Sequence, residues 1–471
     1  MTNLRLILTV LASLVALVTS SIAATASRPN IVFVITDDQR WDGLSINGHP
    51  AAQTPHIDRL GHEGLSLDNF LVSTPLCSPS RATFLTGRYA RKHNIINNDK
   101  LGLDVISHTL MTFPRRLREA GYETGFVGKW HMGLDDSRRP GFDTWISFKG
   151  QGIYIDGVIN HNGERRQLTG YMTDFINQWS VEFLEQPRDK PFCLYVSHKA
   201  VHAPFLPAPR HNDLYADFHP ELPHVSAANL AGKPMLTRDV TRPPMYTHEG
   251  VAPEPPEPHR GRDRTPAGIM RDQIRSIAAV DEGVGQLYAT LERLGELDNT
   301  VFIYTSDNGF LLGEHGKFNT KRWAYEPNLR VPFLVRYPPL VPAGSRSTAL
   351  VGAVDVAPTL LELAGVESVV EMHGESFVPL LADPTAKGRD ELLAEYFYEK
   401  VTPQAPAWQA IRTPRWKYIQ YDSPDATPAH DELYDLANDP QETNNLIADP
   451  AHRDQLGSLR SRLARMIADA R

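Results

Sequence analysis

Four short segments carry groups from which a reactive centre can be built. They are Thr36-Asp37-Asp38, Gly128-Lys129-Trp130-His131, Ser197-His198-Lys199 with His202 close behind, and Thr305-Ser306-Asp307-Asn308-Gly309. Asp37, Asp38, Asp307 and Asn308 are all oxygen ligands. Three crowded carboxylates repel one another, and some protonate unless a cation lies among them. Hard oxygen donors suit Ca²⁺ or Mg²⁺ and not a thiolate-bound zinc. Lys129, His131, His202 and Lys321 supply the opposite set, cationic or protonatable donors. A divalent ion beside such donors implies an anionic substrate with oxygens to coordinate, such as a sulfate or phosphate ester. Taken singly, each segment has a plainer reading. Asp37-Asp38 would serve as a turn or helix cap, Asn308-Gly309 as a hairpin turn, and Lys129 and His131 as surface cover.

What joins the four is their position. Each follows an apolar run, at residues 31–35, 124–127, 192–196 and 301–304, and a fifth run lies at 331–336. Continuous apolar strands are expected in a parallel sheet buried on both faces. Helical patterns fall between them: Ile274, Ile277, Val280, Val284, Leu287, Leu291 and Leu294 form one stripe, and Phe113, Leu117 and Ala120 another. Alternating strands and helices predict an α/β fold, a largely parallel central sheet with helices on both faces. Such sheets bind ligands beyond the carboxyl ends of their strands, which is where the four segments would converge.

The chain has 471 residues, 41% hydrophobic and 22% charged, the mix of a globular protein with a sizeable core. Its formal net charge is -8, with no basic run or aromatic–basic stripe, which argues against a nucleic-acid partner. Arg5, the apolar residues 6–18 and Ala24-Thr25-Ala26 form the pattern of a secretory signal over residues 1–26. The apolar run falls short of the about 20 residues that span a bilayer. An exported protein, periplasmic or secreted and without stable membrane insertion, is expected, with an uncleaved anchor as the alternative. There are two cysteines, too few for a disulfide scaffold, although they could pair in principle. Cys193 lies in an apolar run and reads as a small buried hydrophobe. Cys77 reads as part of a polar loop, so its purpose has to be sought elsewhere.

Residues 27–387 are expected to form the catalytic domain. After Gly388 the pattern changes to short strands near 392–397, 408–412 and 416–421, and then a terminal amphipathic helix through Leu456, Leu459, Leu463, Met466 and Ile467. Residues 388–471 are therefore expected to form a smaller α+β domain. Residues 202–266 show no sustained period and read as a lid, a binding loop or a disordered stretch. Their histidines (His211, His219, His224, His248 and His259) read as surface residues rather than ligands.

The stretch Cys77-Ser78-Pro79-Ser80-Arg81-Ala82-Thr83-Phe84-Leu85-Thr86-Gly87-Arg88 resembles the type I sulfatase signature, C-x-P-S-R-x-x-x-L-T-G-R, at every specified position. The resemblance extends to Asp37-Asp38, Gly128-Lys129-Trp130-His131, His202-Ala203-Pro204, Ser306-Asp307-Asn308-Gly309, Leu312-Gly313-Glu314-His315-Gly316, Lys321-Arg322 and Glu432-Leu433-Tyr434-Asp435-Leu436. In that family the signature cysteine is oxidised to formylglycine by a separate formylglycine-generating enzyme, and the fold is alkaline-phosphatase-like. The resemblance implies one Ca²⁺ (Mg²⁺ as the alternative) held by Asp37, Asp38, modified Cys77, Asp307 and Asn308. It implies that Arg81 and Lys129 orient the hydrated aldehyde and the sulfate. His131 would be the base in the second step, Asp307 would help activate the attacking hydroxyl, and His202 with Lys321 would assist the departing alcohol. Lys317 is the alternative to Lys321, and His198 lies near His202.

An aldehyde hydrate carries two hydroxyls on one carbon. One can attack sulfur to give a covalent sulfo-enzyme, while the other then loses its proton and expels sulfate, regenerating the aldehyde. Arg91-Lys92-His93-Asn94-Ile95-Ile96-Asn97-Asn98 and Leu168-Thr169-Gly170-Tyr171-Met172-Thr173-Asp174 resemble N-acetylglucosamine-6-sulfatases, so a sulfated saccharide, first of all 6-sulfated N-acetylglucosamine, is the expected substrate. The competing readings are a phosphonate or phosphate ester hydrolase of the same fold and a catalytically silent sulfated-glycan binding protein. Oligomeric state and endo or exo action are not legible in the sequence.

Overall fold

The computed structural model describes residues 28–98, 102–238, 262–424 and 426–471. The expected signal over residues 1–26, and His248 and His259, lie outside them. The strands in chain order are β1 (Asn30–Thr36), β2 (Leu65–Leu71), β3 (Glu123–Gly128), β4 (Thr144–Ser147), β5 (Val158–His161), β6 (Glu164–Gln167), β7 (Phe192–Ser197), β8 (Thr300–Ser306), β9 (Leu311–Leu312), β10 (Phe318–Thr320), β11 (Phe333–Arg336), β12 (Ser345–Gly352), β13 (Leu392–Tyr396), β14 (Trp408–Arg412), β15 (Trp416–Tyr421) and β16 (Glu432–Asp435). The principal helices are α1 (Pro55–His62), α2 (Cys77–Thr86), α3 (Phe113–Glu119), α4 (Met172–Glu185), α5 (Pro266–Leu294) and α6 (Arg453–Asp469).

A ten-stranded sheet runs in the order β12-β2-β11-β8-β1-β7-β3-β4-β5-β6. Its centre, β8-β1-β7-β3-β4, is parallel throughout. Side chains of β1 alternate between two apolar clusters, Ile31, Phe33 and Ile35 on one face, Val32 and Val34 on the other. That alternation is the period of two expected of a strand covered on both sides, and burying one such side chain contributes about 1.5–3 kcal/mol. On one face, α5 is opened by Thr265, whose hydroxyl accepts from Gly268 N, and closed by Gly295 at φ 72°.

The sequence places a strand over 331–336, but β11 begins at Phe333 and runs antiparallel to both β2 and β8. Pro332 has no N–H to give a ladder, so pairing starts after it. The aperiodic stretch after His202 contains a 3₁₀ turn at Pro209–His211 and short helices at Ala227–Ala231 and Pro234–Thr237, and α5 already begins at Pro266. Cys77 is the first residue of α2 and fully buried, not part of a polar loop, while Cys193 is buried in β7; both are free thiols. The strands β13-β14-β15-β16 form a four-stranded antiparallel sheet. Its Leu392, Trp408 and Ile419 belong to the same apolar cluster as Phe333, Leu350 and Val354 beside the large sheet. No helix among the described residues is long and apolar enough to cross a membrane.

Candidate active site

Parallel pairing brings the ends of β1, β7 and β8 level, and backbone bonds fix the turns that follow. Asp37 N donates to Ala200 O at 2.9 Å, Val201 N to Asp37 O at 2.8 Å, and Asp307 N to Thr36 O at 3.0 Å. Asp38 N donates to Asp307 Oδ1 at 3.1 Å. Asp38 and His131 both lie in the left-handed region, at φ 63° and 61°. Non-glycine residues stay there only where their surroundings over-determine them.

Cys77 and Arg81 stand four apart on α2 and so share one helix face. Arg81 Nε donates to Asp307 Oδ2 at 2.8 Å, Nη1 to Lys129 O at 3.0 Å, and Nη2 to Asp37 Oδ2 at 3.2 Å. Lys129 Nζ donates to Asp37 and to Gln151. Lys321 Nζ donates to Asp38 and lies 2.8 Å from Cys77 Sγ, which is itself 3.5 Å from Asp37 Oδ1. His202 Nδ1 lies 2.7 Å from Ala203 O; a carbonyl only accepts, so Nδ1 carries the proton and Nε2, 3.7 Å from Asp38 Oδ2, keeps its lone pair. Ser78 Oγ donates to His131 O at 2.7 Å, tying α2 to the His131 turn.

The residues expected from sequence to form a site meet at one edge of the sheet, with Asn308 bonded to Asp38 and the His131 ring close enough to feel the charges of Lys129, Asp37 and Arg81. Lys317 does not reach it: its ammonium lies 5.5 Å over the Trp323 ring. His198 is buried, and burial with Arg81 nearby pushes its imidazole down to about 3. Gln151, which accepts from Lys129, has no motif around it in the sequence to mark it. Lys199, two residues past β7, carries no motif either; it is buried 5.0 Å over the Tyr154 ring, and burial with Lys129 nearby pushes its ammonium down to about 7.

Burial sets the electrostatics. It pushes Asp38 up to about 6, with the charges of Asp37 and Asp307 adding to the effect and Lys321 opposing it. Asp307 is raised by burial and by Asp37. Burial also raises Asp37, but Lys129, His202, Arg81 and Lys321 together hold it well below the usual carboxylate range. His131 and His202 are pushed well below the usual imidazole value, chiefly by burial, with Lys129 acting on both; each is neutral and able to accept a proton at pH 7. Burial, and then Asp37, push the Cys77 thiol up to about 12, so it stays protonated and is a poor nucleophile near neutrality.

The donor set fits a divalent cation. Oxygens of Asp37, Asp38 and Asp307 lie within 4.8 Å of one another. Asn308 Nδ2 donates to Asp38 Oδ1 at 2.7 Å and to Gly309 O at 2.9 Å, while its Oδ1 is buried with no partner. A buried acceptor without a donor is costly, and a hard cation would satisfy it together with the three carboxylates.

Comparison with known proteins gives the same region a context. The Sulfatase family model matches residues 29–366, and a model described as N-sulphoglucosamine sulphohydrolase, C-terminal, matches residues 313–469. An N-acetylglucosamine-6-O-sulfatase of Bacteroides thetaiotaomicron is 34% identical, over 89% of this chain and 83% of its own. The human N-acetylglucosamine-6-sulfatase is 29% identical, over 94% of this chain and 85% of its own. A solved structure described as in complex with its substrate D-glucosamine-2-N,6-O-disulfate superposes with a TM-score of 0.83 at 31% identity, covering 94% of this chain and 98% of that one.

Proposed function

The chain belongs to the sulfatase family, and on that footing we propose that it removes the 6-O-sulfate from N-acetylglucosamine units of a sulfated sugar. The observation that carries the reaction class is the convergence on Cys77 of three carboxylates and the cations Arg81, Lys129 and Lys321. The preference for the sugar is supported by the identity to the Bacteroides enzyme over most of both chains and by the likeness to the structure that holds a 6-O-sulfated glucosamine.

In this reading Cys77 is the precursor of formylglycine, installed by a separate enzyme, and the hydrated aldehyde supplies the nucleophilic hydroxyl that the protonated thiol cannot. Asp37, Asp38, Asp307, Asn308 and the modified side chain would hold a Ca²⁺ ion, or Mg²⁺ in its place, which would supply positive charge to the sulfuryl oxygens when bound. Arg81 and Lys129 hold the Asp37 and Asp307 carboxylates in place and turn positive charge toward the same oxygens. His131, neutral, takes the proton released in the second step. Lys321 Nζ, beside position 77, assists the departing oxygen as a proton donor, together with His202, whose Nε2 has to take up a proton before it can give one; acid–base help of this kind is worth about 10²–10⁴-fold. Residues 27–387 form the catalytic part of the proposed organisation and residues 388–471 the smaller unit against it. Export to the periplasm or the exterior belongs to the same reading.

The test is turnover by protein co-produced with a formylglycine-generating enzyme. The substrates are 6-O-, 4-O- and 3-O-sulfated and N-sulfated sugars, an aryl sulfate and an aryl phosphodiester. The peptide spanning residues 60–81 is read by mass spectrometry. Fastest turnover on 6-sulfated N-acetylglucosamine is expected. Faster phosphodiester turnover would sink the sulfatase reading, activity confined to another sugar would refute the substrate, and active protein with only unmodified Cys77 would refute the precursor role.

A further inference from the structure

Two loops that flank the reactive cysteine end on one carboxylate from the C-terminal sheet. Glu399, three residues past β13, is buried. Its Oε2 accepts from Arg322 Nε at 2.6 Å and from the Tyr396 hydroxyl at 3.0 Å, and its Oε1 accepts from Asn98 N at 3.1 Å.

Each limb leads directly to the site. Arg322 follows Lys321, whose ammonium contacts Cys77 and Asp38. Arg322 lies at φ 86°, a backbone state that an arginine keeps only when it is held. Two groups of the C-terminal sheet hold it: Glu399 at the guanidinium, and Trp408 Nε1, which donates to Arg322 O at 2.8 Å. On the other limb, Asn98 Oδ1 accepts from Ser78 N at 3.0 Å. Ser78 N is one of the amides at the start of α2 that has no partner within the helix, and Leu76 at the cap offers none through its side chain. Asn98 thus fixes the turn of helix that carries Cys77.

We infer that Glu399 is a positioning residue for the sulfatase reaction, setting Lys321 through Arg322 and the residue-77 side chain through Asn98. It rests on the proposed reading that Lys321 and modified Cys77 act on the ester. The four-stranded sheet then does more than share a core with the large one, because it sets the register between the reactive group and the cation beside it. Small displacements at this distance from the reacting atoms are expensive, since misplacement by about 1 Å can cost about 10²-fold in rate.

The experiment compares wild type, Glu399→Gln, Asn98→Ala, Lys321→Ala and Glu399→Gln/Lys321→Ala, using full-length calcium-loaded protein with formylglycine content matched by mass spectrometry. Steady-state kinetics on 6-sulfated N-acetylglucosamine and on an aryl sulfate are the readout. Glu399→Gln is expected to lower kcat about tenfold to a hundredfold with little change in KM, and Asn98→Ala, which leaves the Arg322 contact intact, to lower kcat by a smaller factor. The Glu399→Gln effect should shrink in the Lys321→Ala background, because residues acting through one another are not additive. A kcat per modified, folded enzyme unchanged in Glu399→Gln, or full additivity of Glu399→Gln with Lys321→Ala, would overturn the inference. A wild type inactive on every sulfate ester would instead overturn the reading beneath it.

Discussion

The ammonium of Lys321 lies 2.8 Å from Cys77 Sγ and also binds Asp38, so one cation joins the reactive side chain to the carboxylate cluster. Removing it leaves Asp38 without its cationic partner and strips positive charge from the leaving side. Lys321→Ala is expected to lower kcat by about 10²–10³, the size seen when one donor to developing charge is lost. Lys317→Ala, whose ammonium sits over Trp323, should stay close to wild type. Steady-state kinetics on the two variants decide it, and the reverse ranking would exchange the two lysines' roles.

Calcium binding should release protons. In the metal-free cluster, burial with Asp37 and Asp307 holds Asp38 up to about 6, and Asp307 is raised by burial and Asp37. A divalent ion binds only the ionised carboxylates, so near pH 6 it displaces protons, and near pH 8 fewer remain to displace. Calorimetric titration of chelator-treated protein with CaCl₂, in two buffers of different ionisation enthalpy, reads the number released. Proton release at pH 6 that falls off by pH 8 is expected; no buffer dependence at pH 6 would show that the ion binds elsewhere.

The chemistry was legible because it follows the strands. Asp37-Asp38, Lys129 and Asp307-Asn308 each come directly after a buried apolar run, and parallel pairing carries such positions to one edge. Choices within one turn were not legible. His198 and His202 lie within the same stretch after β7, and it is backbone bonds such as those between Asp37 and residues 200–201 that bring His202 toward Asp38. Lys317 and Lys321 flank β10, a short strand paired with β9, whose geometry no period reveals. Short helices such as Ala227–Ala231 span little more than one turn and leave no stripe to detect. Glu399 was hidden for another reason: it lies 301 positions from Asn98, and nothing local in the β13 pattern says what the loop after it will touch.

Asp281 gives the fold a pH dependence away from the site. It lies on α5, and its Oδ1 accepts from His56 N at 3.0 Å and Ile57 N at 2.8 Å, capping the start of α1. The positive end of α1 favours the anion. Burial outweighs it and, with Asp58 and Glu282 adding their charges, pushes Asp281 up to about 7. The folded state therefore holds a proton that the unfolded chain loses at the ordinary carboxylate value. The contribution is fully present below that value and is lost as pH rises through about 7. Both bonds fall on one oxygen, so Asp281→Asn keeps an acceptor for them while removing the titration. Urea midpoints of calcium-saturated protein are compared at pH 5 and pH 8. Relative to wild type, Asp281→Asn should gain stability on going to pH 8. An unchanged difference between the two proteins across that range would mean that Asp281 titrates as an ordinary carboxylate.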